Sequence, residues 1–202
     1  MGAATFDSTD SDDIAASIED TERFGHVVNR HFNEIYGYLA RRVGRDIADD
    51  LSAETFIVAF GSRSRYDTSR ADALPWLYGI ATNLIRRHRR TEVRKLAAYA
   101  RSVTRIDSDG DNLDDLVTRL DHAESVARVA LVFAELDPDQ RDALYLVTIV
   151  GLGYADAAEA LDVPVGTVHS RVARARSQLR DLAAYNRQEG SEGSAVKRES
   201  QE

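Results

Sequence analysis

From Phe24 to about Ala98 the apolar positions recur with helical spacing. His26 to Val43 reads as one helix and Ile47 to about Phe60 as a second, with Gly44 between them. Residues 61–73 (GSRSRYDTSRADA) are polar and read as a loop. Pro75 then suits the first turn of a third helix, where its missing N–H costs nothing. Along that helix Leu77, Ile80, Ala81, Leu84, Ile85 and His88 make one apolar stripe at ~100° per residue, with Trp76 read as core. Gly79, Asn83, Arg86 and Arg90 fall on the opposite side.

The periodicity stops over residues 99–121, which read as a flexible acidic linker with an extended reach of ~75 Å. Helical spacing resumes from about Ala123 to Leu136. Asp137-Pro138-Asp139-Gln140 then supplies an N-cap, a proline at the first helical position and a Gln placed to close a capping box. Ala143 to Val150 carries β-branched residues that fit a strand, while its caps and Gly151 and Gly153 favour helix. In Tyr154 to Leu182, a short helix faced by Tyr154, Ala157, Ala158 and Leu161 ends at Asp162-Val163-Pro164. A second helix follows, with a narrow stripe of Val168, Val172, Ala175, Leu179 and Leu182. Its exposed early positions are Thr167, His169, Ser170, Arg171 and Arg174.

Helix, tight turn and helix with a basic outer face describe a helix-turn-helix, whose second helix enters the DNA major groove. A structural hairpin with a solvated arginine face gives the same pattern. The expected fold class is all-α, with two small helical domains. The expected boundaries are a disordered acidic head (1–22), a first domain (23–98), the linker (99–121), a second domain (122–183) and a disordered tail (184–202).

Charge changes this picture by its placement. The chain has 202 residues, 34 acidic and 26 basic, for a net charge of −8. That balance argues against nucleic-acid binding until the basic residues are located. Arg86, Arg87, Arg89, Arg90, Arg94 and Lys95 face only Glu92, and Arg171, Arg174, Arg176 and Arg180 form a second group. Two basic patches therefore survive the negative sum. Four arginines opposite a core stripe favour phosphate contact over a solvated face.

Other classes fall away. There is no cysteine, which excludes disulfides, thiol catalysis and cysteine-ligated zinc. The longest uncharged stretch, Ala143 to Ala155, is short of the ~20 residues a spanning helix needs. An acidic N-terminus does not fit a secretory signal, so a cytoplasmic protein without membrane insertion is expected. His26 and His31 lie ~140° apart on a helix, without HExxH or further ligands, and no motif of nucleophilic catalysis is present. No enzyme, metal or cofactor is expected.

GLGYADAAEALDVPVGTVHSRVARARSQLR resembles region 4 of bacterial RNA polymerase sigma factors of the extracytoplasmic-function (ECF) group. DIADDLSAETFIVAF (Asp46 to Phe60) resembles region 2.2, and LPWLYGIATNLIRRHRR (Leu74 to Arg90) resembles regions 2.3 and 2.4. Asp162 stands where that family often has Gly, and His169 where it often has Lys. Arg86-Arg87-His88 replaces a more mixed run. The resemblance implies a sigma region 2 domain and a region 4 helix-turn-helix domain that direct core RNA polymerase to promoters.

By position, the resemblance assigns Asp49, Asp50, Glu54 and Phe56 to the core-polymerase surface that meets the clamp helices. It assigns Tyr66, Asp67, Ser69, Arg70, Asn83, Arg86, Arg87 and Arg90 to reading the −10 element. Thr167, His169, Ser170, Arg171 and Arg174 are assigned to the −35 element, with region 4 on the polymerase flap. It also implies an anti-sigma factor, since many members are held inactive by one. The rival readings are a stand-alone helix-turn-helix regulator and a purely protein-binding helical adaptor.

Overall fold

The computed structural model describes residues 8–103 and 136–181. Expectations for the linker aspartates Asp107 to Asp115, for the helix from Ala123 as far as residue 135, and for the tail 184–202 lie outside the described residues. Contacts divide the chain into two units, Met1–Thr104 with Ala155–Pro164, and Arg105–Tyr154 with Val165–Glu202. All regular structure among the described residues is helical.

In the first unit, α1 spans Asp10–Ala16, α2 Phe24–Val43, α3 Arg45–Ser62 and α4 Leu74–Val103. Short 3-10 turns at Thr21–Arg23 and Arg63–Arg65 precede α2 and follow α3. Gly44, at φ 84°, divides α2 from α3 in a conformation open chiefly to glycine. Helices α2, α3 and α4 each pack on the other two. Val27, Ile35 and Leu39 of α2, Ala48 and Ala59 of α3, and Leu77, Ala81 and Ile85 of α4 are fully buried at the centre. Tyr38 is also buried; its hydroxyl shares a 2.7 Å hydrogen bond with Thr82 Oγ1, and its ring meets Tyr78 edge-on.

Two expectations change here. The acidic head, expected to be disordered through residue 22, carries helix α1 and the 3-10 turn at Thr21–Arg23. Low hydrophobicity misleads because its two buried aspartates are paired with cations. Thr9 caps α1 in a capping box with Asp12, Ile14 is 1% exposed, and Asp10 and Asp13 are buried against basic side chains of the Arg23–His31 segment. Gly79, placed by its angle on the polar side of α4, is buried instead. An added methyl there would sit 2.6 Å from the Ala160 carbonyl oxygen within the same unit. The helix itself continues to Val103, five residues beyond the expected end at Ala98.

In the second unit α5 spans Pro138–Tyr145 and runs into a π-turn, Leu146–Val150. The stretch that also fitted a strand is thus helical. Asp137 caps it by accepting from the Asp139 and Gln140 amides, but the expected reciprocal half of a capping box is missing, since Gln140 Oε1 is buried without a partner. Helix α6 spans Tyr154–Leu161 and from Ala155 onward belongs to the first unit, while α7, residues 165–181, belongs to the second. Val168, Val172 and Ala175 of α7 are buried at 0–1% exposure, as its narrow stripe requires.

The end of α6 explains Asp162. The Val163 amide donates to the Ala158 carbonyl and the Asp162 amide to that of Glu159, a Schellman closure with Asp162 at φ 51°. The left-handed conformation is tolerated by Asp and poorly by β-branched residues. Asp162→Val should therefore cost ~1–2 kcal/mol in chemical denaturation, while Asp162→Gly should not destabilise. Equal stability of the Val and Gly variants would contradict this.

Candidate nucleic-acid interface

The loop between the 3-10 turn and α4 is built from its own side chains. Asp67 Oδ1 accepts from the Ser69 amide at 3.1 Å, and the Arg70 amide returns to the Asp67 carbonyl at 3.1 Å. Tyr66 closes the turn from beneath: its hydroxyl donates to the Arg70 carbonyl at 2.8 Å, and its ring lies 5.0 Å from that of Trp76. Burial pushes the Tyr66 phenol up to about 12. Of the four loop residues assigned to base reading, Asp67, Ser69 and Arg70 are exposed, whereas Tyr66 is an 8% exposed strut. The Arg70 guanidinium is paired with Asp67 and Glu159.

On α4, Asn83, Arg87 and Arg90 are exposed and Arg86 is half-buried. Arg87 is ion-paired with Glu54 of α3. The structure thereby joins one residue assigned to DNA with one assigned to polymerase. Asp49 and Asp50 are exposed near the start of α3. Phe56 is not: it is 7% exposed and stacked on Phe32 at 6.0 Å. In the run Phe56-Ile57-Val58 a helix turns ~100° per residue and cannot bury all three. Ile57, at 70% exposure, and Val58 are left on the surface, as is Phe32 of α2. The periodicity of α3 was too weak to separate them in the sequence.

On α7, His169, Ser170 and Arg174 are exposed, and Thr167 and Arg171 are half-buried. His169 stacks on Tyr154, rings 3.9 Å apart and 2° from parallel. Arg171 Nη2 meets Asp139 Oδ2 at 2.6 Å, so this guanidinium braces α7 against α5. Ser170 Oγ donates to the Thr167 carbonyl at 2.9 Å. Arg174 has no ion pair among the described residues and presents an exposed guanidinium.

Sequence reasoning missed the support behind the loop. The Asp10 amide donates to the Ala71 carbonyl at 3.1 Å, and Asp10 Oδ2 accepts from the Ala73 amide at 2.8 Å and bonds His31 Nε2 at 2.7 Å. Arg30 pairs with the other carboxylate oxygen. The Thr9-x-x-Asp12 capping signal before Ile14 was the available clue. Asp10, His31 and Asp72 also have a spacing that could hold a cation. Their atoms are already spent: Asp10 on His31, Arg30 and Ala73, and Asp72 Oδ1 on the Leu74 amide.

Burial alone would raise the Asp10 pKa, but the His31 and Ala73 hydrogen bonds, with the Arg30 contact, outweigh it and hold it at about 2, below the ordinary 3.8. The folded value is depressed, so this stabilisation is complete above about 3.8 and is lost as pH falls through about 2. Trp76 touches Tyr66 of the supported loop. Its fluorescence should therefore change in acid below about pH 4. In Asp10→Asn that acid step should shrink; an identical step in both proteins would contradict the assignment.

Residues 27–95 match the family description "Sigma-70 region 2", and residues 127–179 match "Sigma-70, region 4". The chain is 40% identical over 135 residues to the ECF RNA polymerase sigma factor SigC of Mycobacterium tuberculosis, covering 65% of this chain and 68% of that one. It is 31% identical over 180 residues to the ECF RNA polymerase sigma factor SigW of Bacillus subtilis, covering 81% and 92%. Among solved structures, CnrH in complex with the cytosolic domain of CnrY matches with a TM-score of 0.58 at 26% identity, over 87% of this chain and 97% of that one. RpoE of Bartonella quintana, solved with the anti-sigma factor NepR, shares the fold with a TM-score of 0.59 at 22% identity, over 81% and 98%. Two sigma regions in order on one helical chain, with relatives matched over most of their length, establish that the protein belongs to the ECF group of the sigma-70 family.

Proposed function

We propose that this sigma factor directs core RNA polymerase to its promoters by reading the −10 element with the 66–73 loop and α4 and the −35 element with α7. The observation that carries the reading is the exposed His169, Ser170 and Arg174 of α7, standing over a buried Val168–Val172–Ala175 stripe inside the region 4 match. Base edges in the major groove are read by such side chains, while arginines on phosphates fix register. In the loop, Asp67, Ser69 and Arg70 supply polar groups for exposed −10 bases, and Tyr66 holds them up. Asp49 and Asp50, with the apolar Ile57 and Val58, form the surface offered to the polymerase clamp helices. The chemistry of RNA synthesis belongs to the polymerase.

The stand-alone regulator is not favoured, because a three-helix domain matching region 2 fills the place where a sensing domain would stand. An anti-sigma partner is part of the proposal: RpoE of Bartonella quintana was solved with the anti-sigma factor NepR, and CnrH with the cytosolic domain of CnrY. Among the described residues no helix is long and apolar enough to cross a membrane. The site of action on this reading is the cytoplasm, with the polymerase.

Transcription from a library of promoter fragments, with core polymerase alone and with this protein added, tests the reading. Initiation at a shared pair of −35 and −10 sequences, only when the protein is present, is expected. DNA binding that is independent of core enzyme, without initiation, would support the stand-alone regulator. Within this assay Arg90, exposed and on the helix edge, should contact phosphate. Arg90→Ala should lower the log–log salt slope of promoter binding by about 0.7–0.9. An unchanged slope would return Arg90 to a solvated face.

A further inference from the structure

We propose that Asp10 is a positioning residue for −10 recognition, acting from behind the loop that meets the bases. The inference rests on the reading of residues 66–73 as the −10 loop. The tip of that loop, Asp67 to Arg70, is held by its own turn and by Tyr66. Its exit toward α4 is held by one residue of another helix. The Asp10 amide takes the Ala71 carbonyl and the Asp10 carboxylate takes the Ala73 amide, so the two bonds bracket Asp72 and set the path of the backbone.

Asp10 is in turn fixed from three sides. Thr9 caps α1 beside it, Ile14 anchors that helix at 1% exposure, and Arg30 and His31 of α2 hold the carboxylate. At 4% exposure the carboxylate does not face the DNA. An exposed aspartate beside a polyanion would repel it, but this one is buried and partnered by Arg30 and His31. Its role is transmitted through Ala71 and Ala73 to Asp67, Ser69 and Arg70. A loop held in one conformation binds without first being ordered, and a competent fraction below one weakens binding in proportion.

A buttress of this kind controls discrimination, and that separates it from general stability. The test uses the full-length protein with core polymerase on promoters whose −10 bases are randomised while the −35 element is kept. A second library randomises the −35 element. The proteins compared are the parent, Asp10→Ala, Asp10→Asn and the loop double variant Ser69→Ala/Arg70→Ala. Asp10→Asn keeps an acceptor for the Ala73 amide and serves also if the alanine variant folds poorly.

Asp10→Ala should flatten the −10 base preference about tenfold: binding to the preferred −10 bases needs the ordered loop and falls with a competent fraction of about a tenth, whereas binding to other bases does not need it and stays. Its −35 preference should stay that of the parent. Asp10→Asn should fall between the two. If the loop variant changes the −10 preference while both Asp10 variants lower transcription from all −10 sequences equally, Asp10 is only structural and the proposal is overturned. If the loop variant also leaves the −10 preference unchanged, the loop reading fails and takes this inference with it.

Discussion

Arg174→Ala should weaken binding to promoters that carry the −35 element by about fivefold to 150-fold, the ~1–3 kcal/mol of one lost base or phosphate contact. Its side chain is exposed on α7, two residues beyond the buried Val172 and with no ion pair among the described residues. Truncation therefore costs the fold little, and the melting temperature should stay that of the parent. Arg171 supplies the internal contrast, since its guanidinium is engaged with Asp139 at 2.6 Å. Arg171→Ala should lower the melting temperature as well as binding, by a few tenths to ~1 kcal/mol for a partly exposed pair. Promoter affinity is read by titration with core polymerase, and stability by thermal denaturation. Parent-like promoter affinity in Arg174→Ala would remove this arginine from the interface.

The second large effect is on stability. Leu77 lies on α4 at 0% exposure, one turn ahead of the equally buried Ala81. Leu77→Ala removes three buried carbons and leaves a void, which costs ~2–5 kcal/mol depending on how far neighbours relax. For a small domain that is a large share of the total. Leu77→Met conserves volume and should cost less than ~1.5 kcal/mol. Urea denaturation followed by Trp76 fluorescence measures both. The same loss for Met as for Ala would mean that shape, and not the void, sets the cost.

Helix boundaries were legible wherever a stripe and a breaker coincided. Gly44 divides α2 from α3 as expected because nothing but glycine readily adopts φ 84°, and Leu77, Ala81, Leu84 and Ile85 of the α4 stripe are buried as their angles require, with Ile80 and His88 half-buried. The positions of the candidate site residues along the chain were legible, but their burial and their partners were not. Arg87 and Arg171 look alike in sequence, as cations on basic helices, yet each meets a carboxylate from a different helix, Glu54 and Asp139. Such partners lie 33 and 32 residues away along the chain, beyond any local pattern. Tyr66 and Phe56 were placed by family position, which tells where a residue lies along the chain but not whether its ring points inward. The head was misjudged for a similar reason. Asp10 and Asp13 signal solvation by composition, and only the tertiary pairing with Arg23, His26, Arg30 and His31 makes their burial affordable.

Helix α1 ends at Ala16, whereas the match to region 2 starts at residue 27. The segment matched to region 2 therefore starts after the helix that packs against it. A chain trimmed at its N-terminus to residue 27 would keep every assigned DNA-reading side chain and lose the acceptor of the Ala73 amide, stranding a buried donor at ~1–3 kcal/mol. It would also uncover the surface that Ile14 fills and leave Arg30 and His31 without their carboxylate. On the proposed reading, trimming of this kind amounts to a remote mutation of the −10 loop. A chimaera that exchanges only residues before 27 between relatives should behave as a promoter-preference variant although no exchanged residue is assigned to DNA.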